Sequence, residues 1–312
     1  MAMTSTATTN FSSTVTALVM QRLEDILAAS KPHAAGDNFV RGTILKGHNQ
    51  LTYTAYAKLA ANTTALTEGT APTAQQLAIA VDTVTAAQMG WTAQFTDLAT
   101  AESPHNLVAV GTKLVAEQGA DSIDIFVRDI LAAGASVKYS NGSARSSVSA
   151  VITGALVKRT VAQLEKNNVP TFSDGFYRAI ISPDQKYDIQ TDTANGGWMD
   201  VHKYADSAMG ANLLSGEIGR YGGVRFMISS NAKVFATAGA SSVDVHSAFF
   251  FGPDAYVLGD LQSLRGYFEP GGGVTDPLKQ ISIVGAKVML GATLLDANGS
   301  RYIRLETAVT SL

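Results

Sequence analysis

The chain of 312 residues has no cysteine, which excludes disulfide stapling, thiolate catalysis and any cysteine-based zinc or iron–sulfur site. Charge is scarce as well: Asp, Glu, Lys and Arg make up 16% of the residues, against roughly 25% in an average protein. A surface with so few charges is either largely committed to partners, because interface cores are depleted of charge, or an ordinary one on which Ala, Thr and Ser replace charges. The net charge is −3, and no basic run extends beyond Lys158-Arg159, so the electrostatic footprint of a sequence-specific nucleic-acid binder is missing. Nowhere do about 18 apolar residues run together, so no membrane-spanning helix is expected. Met1 to Asn10 is polar and uncharged, without the basic and apolar regions of a secretory signal.

Motifs that carry chemistry are also absent. There is no Gly-x-x-x-x-Gly-Lys-Ser/Thr loop, no Gly-x-Ser-x-Gly elbow and no Gly-x-Gly-x-x-Gly turn between a strand and a helix. The five histidines (His33, His48, His105, His202, His246) are scattered, without the i,i+4 spacing of a zinc-binding helix. Asp200-Val-His202 with Asp206 is the one local group of possible metal ligands, and a surface helix start produces the same residues. Asp121 and Asp124 share a helix face, where paired carboxylates can do acid–base work or simply face solvent. No cofactor or metal site is expected, and no enzymatic activity.

Ser12 or Ser13 can cap a first helix with Val15, Leu18, Val19, Leu23, Ile26 and Leu27 on one face, ending before Lys31-Pro32. Such a helix must dock on its own core or on a neighbour. Between Phe39 and Asp97 the pattern becomes strand-like: Leu51, Tyr53 and Ala55 alternate with polar residues, as do Leu77, Ile79 and Val81. Between them lies the polar tip Asn62 to Thr73, with Gly69 and Pro72 as turn residues. A ribbon of two strands is marginal alone in water. Residues 104–134 read as one long amphipathic helix, with Ser103 as cap and Pro104 in the first turn, interrupted by Gly119 at a cost of ~1 kcal/mol relative to Ala.

After a loop rich in Ser and Gly at 140–149, Thr153 opens a helix to about Asn167. The apolar strand Tyr177 to Ile181 follows, and Ser182-Pro-Asp-Gln185 is a capping box with Pro at the first helical position. Gly216, Gly219, Gly222 and Gly223 allow tight turns before Val224, Phe226 and Ile228, which alternate with Arg225 and Met227 as in a half-buried strand. Phe249-Phe-Phe251 and Tyr256-Val-Leu258 flank Gly252-Pro-Asp254, and Leu261 to Gly273 reads as a looser segment. Strands at Ile281–Ile283 and 287–295 are turned by Asp296-Ala-Asn-Gly299 into a last strand through Ile303 and Leu305, a hairpin signal. Helices and strands in this order indicate an α+β fold.

The run Gly216 to Ile228, Asp276-Pro-Leu-Lys-Gln280 with the strands after it, and Leu66-Thr-Glu-Gly-Thr-Ala-Pro-Thr73 resemble major capsid proteins of tailed bacteriophages. The branch resembled is that of podoviruses with large virion polymerases. The resemblance implies the capsid fold shared with herpesvirus shells and encapsulins: an N-terminal arm (1–38), an extended β-loop (39–97), a peripheral domain with a long spine helix (98–148 and 276–312), and an axial domain (149–275). It implies self-assembly through pentamers and hexamers into an icosahedral shell around double-stranded DNA, in a virion assembled in a bacterial cytoplasm. Scaffolding, portal and decoration proteins are the implied partners, with non-specific contact to packaged DNA and none to a membrane. Lys58, Leu66, Glu68, Gly69 and Pro72 are the implied assembly contacts. Some relatives cross-link such a loop through a lysine, assisted by a glutamate; Lys58 and Glu68 lie in the right region, but no motif here matches. An encapsulin-like nanocompartment shell is the alternative, and an enzyme on an α+β scaffold the rival from another class.

Overall fold

The computed structural model describes residues 79–193, 217–270, 278–295 and 301–310 continuously. Before these it describes 17–19, 21–23, 26, 31–34, 38–44, 48–56, 59, 61–65, 68–69, 71 and 74–77. Ser12, Ser13, Asp200, His202, Asp206, Gly216, Asp276 and the Asn298-Gly299 turn lie outside the described residues.

The core is organised by a seven-stranded sheet buried on both faces. Its main path runs β5 (Val137–Tyr139), β13 (Tyr302–Thr307), β10 (Val245–Phe251), β6 (Tyr177–Ile181), β8 (Val224–Ile228) and β7 (Glu217–Tyr221), with β9 (Val234–Phe235) pairing to β10. Successive side chains of a strand point to opposite faces. Phe249 and Phe251 of β10 therefore enter one hydrophobic core with Ile180, Met227 and Tyr302, while Ala248 and Phe250 enter a second with Ala179, Phe226 and Ile303. The half-buried strand expected at 224–228 is thus corrected: Val224 to Met227 are all buried. Even Arg225 is enclosed, with its guanidinium Nε 2.8 Å from Asp174. β6 and β8 pair in parallel, the arrangement in which strands are covered on both sides and strict alternation is lost.

Each of these two cores is covered chiefly by one long helix. The second core receives α3 (Gly154–Lys166), capped by Thr153 as expected, through Leu156, Val157, Val161 and Leu164. The short helix α4 (Pro183–Thr191) begins with the expected capping box, Ser182 and Gln185 each bonding the other's backbone. The first core receives α2 (Leu107–Ala133), 27 residues long and therefore about 40 Å at 1.5 Å per residue. Its cap is Asn106, whose side chain accepts from Val108 and Ala109; Ser103 instead ends a separate short helix, α1 (Asp97–Glu102). At the other end the carbonyls of Leu131 and Ala132 accept from the Tyr302 hydroxyl and the Arg304 guanidinium. A cation there also complements the negative end of the helix dipole.

A four-stranded sheet packs on α2 through β4 and β12 and joins the same first core, in the order β1 (Val40–Thr43), β11 (Tyr256–Glu269), β12 (Ile281–Leu294) and β4 (Ala87–Thr96). Two expectations change here. Leu261–Gly273 is not a loose segment through most of its length, because β11 runs unbroken to Glu269 and absorbs its irregular pattern in register shifts between Asp260 and Gln262 and between Gln262 and Arg265. Such bulges shift the alternation of side chains without ending the strand. The expected last hairpin is also absent: β12 pairs with β11 and β4, whereas β13 pairs with β10 and β5 in the other sheet. Strands from the parts expected to be peripheral and axial are therefore shared between the two sheets.

Candidate functional site

The segment 39–97 divides into three. β1 and β4 are strands of the four-stranded sheet, and only β2 (Gln50–Tyr56) and β3 (Ile79–Thr85) form a separate antiparallel ribbon. The base of the ribbon is packed on its own chain. Val84 is 1% exposed and lies against Gly259 and Gly291; a Cβ on Gly291 would come within 2.4 Å of the Thr85 carbonyl oxygen. Tyr53 covers Gly42, and partial burial pushes its phenol pKa up. Away from the base this support ends. Leu77, Ile79 and Val81 are 63%, 59% and 55% exposed, although hydrophobic residues on a two-stranded ribbon gain stability only when something covers them.

At the tip, the Asn62 side chain accepts from the Thr64 backbone at 3.0 Å. Glu68 is exposed beside Gly69, which has φ +79° and open space around it. Lys58, Leu66 and Pro72 fall outside the described residues, so the structure brings together only Glu68 and Gly69 of the five expected contacts. The glycine turn is as expected and tighter. Gly222 and Gly223 have φ of +58° and +82° and join β7 to β8 as a two-residue hairpin, whose favoured turn requires positive φ at both central positions. Gly219 sits where the register of β7 against β8 shifts.

Two polar clusters were not legible in the sequence as such. Asp124, expected on a solvated or catalytic face, is fully buried beside the equally buried His33. Burial pushes its carboxyl pKa up, but hydrogen bonds and charge from His33 and the amide of Asn231 outweigh this and hold it below the usual carboxylate range. The second cluster is Ser182, Asp184 and His246. Ser182 Oγ lies 3.0 Å and Asp184 Oδ2 3.7 Å from the imidazole, but both approach the same nitrogen, Nδ1. A hydrolytic triad needs the nucleophile and the orienting carboxylate on opposite nitrogens of the histidine ring, and Ser182 Oγ is already accepting from the Gln185 backbone as a helix cap. Burial pushes the His246 pKa down, against the pull of Asp184, Asp244 and Asp188. Among the described residues no group of three or more His, Asp or Glu could hold a metal, and no helix is long and apolar enough to cross a membrane.

A long helix packed along a four-stranded sheet and bonded at its C-terminal end to a seven-stranded one, with a ribbon extending from the smaller sheet, is the fold of tailed-phage capsid shells. Solved structures carry that assignment. The chain is similar to the capsid of Ralstonia phage GP4 at 16% identity and TM-score 0.74, over 91% of this chain and 92% of that one. It is similar to the capsid of cyanophage Pam1 at 16% identity and TM-score 0.68, over 89% and 90%, and to the head of Helicobacter pylori bacteriophage KHP40 at 11% and 0.66, over 88% and 89%. No family model and no curated protein matches the chain.

Proposed function

We propose that this chain is a major capsid protein that self-assembles through pentamers and hexamers into the icosahedral shell of a tailed phage, enclosing double-stranded DNA, with a structural and not a catalytic role. The observation that carries the reading is the likeness to phage capsids over about nine-tenths of both chains, which leaves little of the chain for an unrelated activity. The exposed Leu77, Ile79 and Val81 support it, because they supply a surface for another subunit to cover. One protomer that makes heterologous contacts closing into rings of five and six would build such a shell. The arm (1–38), extended loop (39–97), peripheral part (98–148 and 276–312) and axial part (149–275) belong to the proposal, as do Lys58, Leu66, Glu68, Gly69 and Pro72 as contacts. So do the podovirus affiliation, the scaffolding, portal and decoration partners, the non-specific contact with DNA and assembly in a bacterial cytoplasm. The encapsulin-like alternative is not favoured, because the matched structures named above are of phages. Negative-stain microscopy with light scattering tests the reading: rings or shells are expected from the purified protein, alone or with its scaffold. A strictly monomeric mass under all such conditions sinks it.

A further inference from the structure

The turn at Lys31–Ala34 is tied to the body by bonds that converge on α2. Asp124 accepts the backbone N–H of His33 at 3.1 Å, and His33 Nδ1 lies 3.2 and 3.1 Å from its two carboxylate oxygens. Asn231, from the loop after β8, donates to the same carboxylate at 3.1 Å and to Asp121 at 3.3 Å. Lys31 pairs with Asp121, Tyr256 donates to the His33 carbonyl at 2.9 Å, and the His33 ring stands edge-on to Phe249. On the N-terminal side of this knot, residues 17–19, 21–23 and 26 are helical. Val19 and Leu23 are buried in the first core, and Leu23 lies in the notch left by Gly119: a Cβ there would be 3.1 Å from Leu23 Cδ1 and 3.3 Å from the Trp91 ring.

The two contacts differ in what it takes to break them. The contact of Val19 and Leu23 is apolar and could be remade equally well on the same groove of another copy, as in a domain swap. Opening the knot instead takes the His33 backbone and ring partners from a fully buried carboxylate and leaves it only the Asn231 amide, and an undercompensated buried charge is among the most unfavourable states a protein can adopt. Only residues 27–30 separate Ile26 from Lys31, and five Cα–Cα steps span at most about 17 Å. While the knot is closed, the helical segment can reach only a groove within that distance.

We propose that the His33–Asp124 knot is a clasp that commits the helical segment of the arm (1–38) to its own subunit, so that this part of the arm is not exchanged with a neighbour. The absence of cysteine makes this directly testable in the full chain. Chains carrying Leu23→Cys are mixed with chains carrying Gly119→Cys, refolded together and oxidised, and compared with chains carrying both substitutions. The doubly substituted chain should close an internal disulfide and remain at monomer mass. The mixture should give almost no covalent dimer, and adding His33→Ala to both chains should raise the dimer at least fivefold. Covalent dimer as the main product of the mixture with His33 intact overturns the clasp, and so does a dimer yield that His33→Ala leaves unchanged. Because Gly119→Cys crowds Trp91, hydrogen exchange on chains without cysteine gives an independent reading. Amides of residues 17–26 should exchange at least tenfold faster in His33→Ala than in the wild type, while those of β10 stay protected; equal rates at 17–26 overturn the proposal. Both readouts work on unassembled subunits, so failure of the shell reading, scored by microscopy, is distinguishable from failure of the clasp.

Discussion

Arg145 grips Glu306 with both arms of its guanidinium, Nε to Oε2 and Nη2 to Oε1, each at 2.7 Å. The two residues are 161 positions apart. Glu306 is fully buried in β13 and has Arg304 Nε 2.9 Å away on its own strand, so the Ser- and Gly-rich loop at 140–149 is fastened to the middle of the fold. The Arg145 guanidinium also stacks 3.5 Å above the Phe235 ring. Arg145→Ala should lower unfolding free energy by about 2–3 kcal/mol, since a charged bidentate pair is lost but Arg304 still neutralises the carboxylate. Chemical denaturation measures this; a loss below 0.5 kcal/mol, the scale of an ordinary surface substitution, would show that the grip contributes nothing.

Gly222→Val and Gly223→Val should each destabilise by roughly 1–2 kcal/mol, the cost of a Cβ in the left-handed region. Space is not the obstacle, because a Cβ at Gly222 would meet nothing nearer than 3.6 Å and one at Gly223 nothing nearer than 3.9 Å. Gly222→Asn should therefore be milder than Gly222→Val, since Asn tolerates this conformation better. Melting temperatures of the three variants decide it, and unchanged values for both valine variants would mark the turn as ordinary.

Deleting Asn62 to Thr73 should leave the subunit folded and abolish shell assembly. The described residues of this stretch are exposed, and the ribbon base at Val84 is anchored elsewhere, on Gly259 and Gly291. Circular dichroism and microscopy on the same preparation separate the two effects. A collapsed melting transition would show that the tip packs on its own domain.

Stability should fall in two steps as pH is lowered. The folded-state pKa of His246 lies below its ordinary value of about 6.5. Below pH 6.5 the unfolded chain therefore takes up the proton more readily than the folded one, and stability declines as pH falls from there toward the folded pKa. Asp124 and Asp129 have folded pKa values below the ordinary carboxylate range, so their contribution is present above about pH 4 and is lost as pH falls through the folded values. His246→Gln should flatten the first step and leave the second. Denaturation midpoints between pH 7 and pH 3 provide the check, and an identical slope in both proteins above pH 5 would refute the assignment.

Mature particles boiled in detergent should run near the monomer mass of 32.6 kDa. There is no cysteine for disulfides, and Lys58 sits in no recognisable cross-linking motif. A ladder of covalent multimers that disappears on Lys58→Ala would reverse this.

What the sequence determined by itself was local in its physics, although not every local signal held: the helix start expected at Ser103 and Pro104 lies instead at Asn106. The Thr153 cap, the Ser182–Gln185 capping box, the apolar strand at 177–181 and the positive-φ pair Gly222-Gly223 each depend on bonds within a few residues, and each stands as expected. The α+β class and the resemblance to capsid proteins were legible for the same reason, being carried by short motifs and their order. Tertiary structure decided what depends on partners distant in the chain. Arg225 reads as a solvent-facing position until Asp174 is beside it, and Asp124 reads the same way until His33, 91 positions away, encloses it. The Asn298-Gly299 signal suggests a hairpin, but β13 finds β10 and β5 instead of β12, because strand pairing is settled by which faces the two cores bury and not by the turn alone. Gly119, a cost to the isolated helix, becomes the notch that admits Leu23 and Trp91 once the helix is packed.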